Sequence, residues 1–152
     1  MSKAVTISPP AAAQAGCTAT CAEYDTETYT NPNGWMTWYR LTATPAAGWQ
    51  FVRFEWQIEH QETGQNPSFT SYQRTINPFP PAGQGKDYPG ADDAADSEID
   101  YTAPVVTVTD TMVNVVAVFK VAQTDLLVNS STVESPAQLV YDPETNLLVA
   151  DY

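Results

Sequence analysis

His60 is the only histidine in the chain and stands between Glu59 and Glu62. An imidazole flanked by carboxylates can serve as a general base. A base needs a nucleophile to activate, and no serine here sits in a G-x-S-x-G context, nor does a Gly-rich loop suited to a phosphate occur. His60 is therefore read as a solvated residue at a strand end, with no catalytic residues and no enzymatic activity expected. Asp92, Asp93, Asp96, Glu98 and Asp100 form the other concentration of reactive groups. Carboxylate oxygens at that density suit Ca²⁺, the one cofactor the chain would take. The spacing does not fit an EF-hand, because no glycine follows at the sixth position, and a solvated acidic loop with no cofactor is the favoured reading.

Cys17 and Cys21 are the only cysteines. On one straight strand, four residues at about 3.3 Å each put them about 13 Å apart, too far for a disulfide. Thr18-Ala19-Thr20 is poor turn chemistry, so free or buried thiols are expected. A zinc site needs four ligands, and few are on offer. Trp35, Trp38, Tyr39, Trp49, Phe51, Phe54 and Trp56 are a third concentration. Exposed, they would stack on sugars. Within strands, aromatics at this density read as core, since each buries a large apolar area.

The elements that carry these groups alternate in the period of strands. Residues 4–8 place Val5 and Ile7 on one face, and Pro9 and Pro10 end that strand. Ala11 to Ala15 is too short to read as a helix. Residues 17–30 are rich in Thr and Tyr, 31–34 (NPNG) signal a turn, and 35–44 are β-prone throughout. A corner at Pro45–Gly48 leads to strand 49–60. That strand has apolar residues on both faces and is expected to be central. Residues 68–76 read as another strand. Residues 77–100, rich in Pro, Gly and Asp, read as a long insertion without regular structure. Residues 101–109 return to strand. Residues 112–122 carry the clearest strand, with Val113, Val115, Ala117 and Phe119 on one parity and Met112 on the other.

The tail, 125–152, looks like a hairpin whose Gln138–Tyr141 and Asn146–Ala150 arms flank Asp142-Pro143-Glu144-Thr145. It holds too many apolar residues for a disordered end. No segment shows helical periodicity. The class expected is all-β, a small sandwich or a curled sheet spanning 1–124, with the insertion at 77–100 and the hairpin extension at 125–152.

Eighteen acidic against six basic residues give a net charge of -12. That field disfavours nucleic acid and membrane surfaces as partners. No run of 18 or more apolar residues occurs. The opening MSKAVTISPP lacks the apolar stretch of a signal peptide. Synthesis in a cytoplasm without a visible signal is the expectation, unless a signal has been removed.

LTATPAAGWQFVRFEW, from Leu41 to Trp56, with the later DTMVNVVAVF resembles the divergent InlB B-repeat family, the Listeria–Bacteroides repeats. Leu41, Ala43, Pro45, Gly48, Trp49 and Phe51 match the first part of that pattern, and the family's Trp falls at Phe54. Val115, Ala117 and Phe119 match its closing strand, and VTISPP its opening. The resemblance covers about 4–120. It implies a β-grasp-like sheet and a role as spacer or adhesive module in bacterial surface or phage structural proteins.

The function expected is a non-catalytic structural protein, a phage virion accessory protein such as a capsid decoration or tail- or fibre-associated protein. Its partners would be protein subunits of a larger assembly, including copies of itself, on a virion or extracellular surface. Leu139, Tyr141, Leu147 and Val149 are the candidate interface residues. The alternative is a carbohydrate- or receptor-binding adhesive module of a bacterial surface protein.

Overall fold

A computed structural model describes residues 2–86, 94–102 and 104–122, and the backbone of 138–142 and 147–151. The chain divides into two compact units, Met1–Lys120 and Val121–Tyr152. The first holds β1 (Ser2–Lys3), β2 (Thr6–Ser8), α1 (Pro10–Ala15), β3 (Thr18–Thr30), β4 (Asn33–Thr44), β5 (Trp49–Glu62), β6 (Ser68–Arg74), β7 (Ala95–Thr102) and β8 (Val105–Val121). Its strands form one open, mainly antiparallel sheet in the order β1-β3-β4-β7-β8-β5-β6. β2 adds to β8 in parallel, with Thr6 to Ser8 opposite Val116 to Val118. The class is all-β.

The turns obey local chemistry. β3 and β4 are joined by the two residues Asn31 and Pro32, with Thr30 opposite Asn33. Between β4 and β5, the Trp49 N–H donates to the Ala46 carbonyl at 3.0 Å. Gly48 takes φ 80°, which completes a type II turn. This is a corner and not a hairpin, because β7 and β8 lie between β4 and β5 in the sheet. The 10–15 segment does form a helix. Pro10 occupies its first turn, where the missing N–H costs nothing. Gly16 ends it at φ 105°, and the N–H groups of Gly16 and Cys17 close on Ala13 and Ala12. Ala12 is its one buried residue, which explains why no apolar periodicity marked it.

The strongest correction concerns 77–100. Its second part is not insertion but strand: β7 pairs with β4 through Ala95–Asp100 and with β8 through Ser97–Thr102. Its first part docks on the half of β4 that β7 does not reach. There the Asn77 amide accepts from the Ala43 N–H at 3.0 Å and donates to the Ala43 carbonyl at 2.9 Å. Phe79 and Leu41 exchange two backbone bonds of 2.8 and 2.9 Å. Prolines cannot donate to a ladder, so the segment does not read as strand. The Asn77 side chain and the Phe79 backbone supply the bonds that its prolines cannot.

The core joins Leu41 of β4, Phe54 and Trp56 of β5, Phe79, and Met112, Ala117 and Phe119 of β8, none more than 2% exposed. Met112 shares this core with Val115, Ala117 and Phe119, against the expected parity. Asn114 lies between them at φ 54°, a left-handed position that adds a residue and flips the register of faces.

In the second unit, β9 (Gln138–Asp142) and β10 (Leu147–Asp151) pair antiparallel as a two-stranded sheet.

Candidate functional site

β5 and β8 are neighbours in the sheet, and their pairing brings His60 to Asp110. The Nδ1 atom of His60 is 2.6 Å from Oδ1 of Asp110, and Ser97 Oγ donates to the other carboxylate oxygen at 3.3 Å. Nε2 of His60 lies 3.5 Å from Glu62. The residues are those of a hydrolytic triad, but in the wrong order. A serine nucleophile must meet a ring nitrogen of the histidine, whereas here the carboxylate separates the two and Ser97 is buried. Both ring nitrogens instead face carboxylates. The hydrogen bond to Asp110, aided by Glu62, raises the His60 pKa and favours imidazolium. This arrangement ties β5 to β8, and among the described residues no nucleophile meets a ring nitrogen of His60. No local pattern marks it, because Ser97 and Asp110 lie far from His60 along the chain.

Asp92 and Asp93 lie outside the described residues. Asp96, Glu98 and Asp100 take alternate positions in β7. At about 3.3 Å per residue, Asp96 and Asp100 stand about 13 Å apart, while Ca²⁺ needs oxygens converging within about 2.5 Å. Asp96 is engaged inside the fold. It accepts from the Tyr39 hydroxyl at 2.8 Å, the Met112 N–H at 2.7 Å and the Lys3 ammonium at 3.0 Å. Burial, then the bond to Asp96, pushes the Tyr39 pKa up. Among the described residues, no three His, Cys, Asp or Glu side chains are placed to share a metal ion.

Cys17 and Cys21 are free, buried thiols. Cys17 Sγ accepts the Ala46 N–H at 3.3 Å. Burial pushes the Cys21 thiol up to about 12, far from the thiolate range of reactive cysteines. Of the aromatic set, Tyr39, Phe54 and Trp56 are buried. Trp49 and Phe51 pack against the core, with Phe51 4.5 Å from Phe54 and 6.2 Å from Phe119 between ring centres. Trp38 is covered by the Lys86 ammonium, 4.6 Å above its ring, and Lys86 also pairs with Asp25 and Glu27. Trp35 in β4 is half-buried, and the other rings build or cover the sheet.

The candidate interface residues lie in β9 and β10, whose register separates them. Leu139 and Tyr141 stand opposite Ala150 and Leu148, while Leu147 and Val149 stand opposite Asp142 and Val140. Directly opposed residues share a face. Leu139 and Tyr141 therefore hold positions on one face of the ribbon, and Leu147 and Val149 on the other.

A cleft of about 530 Å³ on β5, β6 and β8 shares only Trp56 with the groups singled out above. Gln57, Ser71, Gln73, Asn114 and Glu55 line it with uncharged amides, a hydroxyl and one carboxylate, beside Trp56, Tyr72 and Val116. The only sequence signals were alternating polar positions in two strands and an asparagine inside a valine run.

No family model, no curated protein and no solved structure matches this chain.

Proposed function

We infer that the protein is a non-catalytic structural module that attaches to neighbouring subunits of a larger assembly, its own copies included, through the C-terminal hairpin. One observation carries this reading. β9 and β10 form a two-stranded sheet of their own, with apolar residues at register positions on both faces. A two-stranded ribbon is marginal in water, and apolar positions on both faces call for cover on both sides. A neighbouring subunit supplies such cover. The use of His60 and Asp96 as ties between strands supports the non-catalytic part. The repeat-like residues from Leu41 to Phe51 support a surface role, for which a virion accessory protein is the favoured setting.

The test compares the full chain with a chain lacking 125–152, by light scattering during size-exclusion chromatography and by thermal melting. The full chain is expected to assemble beyond the monomer. The shortened chain is expected to be a monomer that still melts cooperatively. A full chain that stays monomeric at every concentration, or a shortened one that assembles equally well, overturns the reading.

A further inference from the structure

We propose that the cleft on the Gln57–Gln73 face of β5, β6 and β8 binds an uncharged carbohydrate chain. This site is built from residues of the first unit alone. The β5–β6 register sets Gln57 opposite Ser71 and Glu55 opposite Gln73, so these four side chains share one face. Asn114 joins them from β8 at φ 54°, the one non-glycine residue with positive φ among the described residues. A bulge re-aims a side chain, and a strained backbone position recurs where function requires it.

The hydrogen bonds in the cleft run in one direction. The Asn114 amide donates to Gln57 Oε1 at 2.7 Å, and Gln57 Nε2 donates to Ser71 Oγ at 3.3 Å. An acceptor, Asn114 Oδ1, remains at one end and a hydroxyl proton, that of Ser71, at the other. Each bond polarises the next, which strengthens both ends toward a ligand. The Gln73 side chain makes no hydrogen bond among the described residues and adds two donors and an acceptor. Vicinal hydroxyls, each both donor and acceptor, are the groups that such a mixed row satisfies. Charge selects against other ligands. Glu55 is already paired with Arg53, so the site offers little to a cation. An anion would meet a chain of net charge -12. The Trp56 and Tyr72 rings stack on each other at 5.9 Å, and Trp56 stacks on Phe79 in the core, so recognition rests on hydrogen bonds.

The experiment titrates the isotope-labelled full chain with cellohexaose, chitohexaose, xylohexaose and mannohexaose and follows the side-chain amide signals by NMR. At least one sugar is expected to saturate the shifts of Gln57, Gln73 and Asn114 below about 10 mM, as befits a weak hydrogen-bonded site. Gln73→Ala and Asn114→Gly should each weaken that binding about tenfold or more. Gln73→Ala removes a side chain with no hydrogen-bond partner among the described residues, and Asn114→Gly keeps the positive φ while deleting the amide, so both should retain the fold, as the amide spectrum and melting curve will report. The proposal is overturned if no sugar saturates these signals, or if affinity is unchanged in both folded variants. It is also overturned if a strand-forming peptide saturates them where the sugars do not.

Discussion

His60 and Gly34 each tie strands together, by opposite means. The His60–Asp110 contact favours imidazolium, so the folded-state pKa lies above the unfolded value of about 6.5. A group raised in this way contributes stability in full below its unfolded pKa and loses it as pH rises through the folded value. The wild-type chain should therefore out-melt His60→Gln at about pH 5.5, and the gap should close by about pH 9. The gap should be small, because the His60 side chain is 41% exposed and solvent screens the pair. A gap of equal size at both pH values would show that the contact does not depend on protonation. Gly34 acts by lacking a side chain. A Cβ there would sit 2.3 Å from the Glu98 carbonyl oxygen, so β4 and β7 could not keep their spacing. Gly34→Ala should lower stability by about 1–3 kcal/mol in thermal melts. Gly85→Ala, which meets nothing within 4 Å, should not.

At the scale of elements, the segment that opens with Asn77 belongs to the core. Phe79 is 1% exposed, bonded through its backbone to Leu41 and stacked on Trp56 at 5.7 Å. Arg40 fastens the residues that follow, donating to the Pro80 carbonyl at 3.0 Å and to that of Gln84. Phe79→Ala should cost about 3–5 kcal/mol in denaturant unfolding, as much as Phe119→Ala in β8. A Phe79→Ala chain as stable as the wild type would place the segment outside the core after all. The same geometry reverses the reading of 77–100 as an insertion without regular structure. Replacing it with a short turn would remove β7 from between β4 and β8, and cooperative unfolding should be lost with it.

At the scale of the molecule, strong like charge opposes the self-association proposed for the hairpin. Each chain carries -12, so copies repel at long range. Added salt shortens the reach of that repulsion from about 30 Å at 0.01 M to about 8 Å at 0.15 M. Self-association should therefore strengthen with salt over that range in sedimentation measurements. Association that weakens with salt would point to an interface held by ion pairs.

What the sequence determined by itself follows from local rules. Period-two alternation gave the all-β class, Asn31-Pro32 and Gly48 gave two of its turns, and the density of aromatics within strands gave a core. Each of these depends only on a residue and its near neighbours. Tertiary structure alone decided which acids and amides meet. Asp96 read as part of a solvated loop because nothing nearby along the chain could satisfy it, yet Tyr39, Lys3 and the Met112 N–H do so from three other strands. Phe79 looked peripheral because prolines surround it, and the open half of β4 made it core. Asn114 looked like a blemish in a valine strand, and only its backbone conformation and the Gln57 amide on the neighbouring strand give it a place. Pairing between strands distant in sequence creates these environments, and the spacing of residues along one strand cannot encode them.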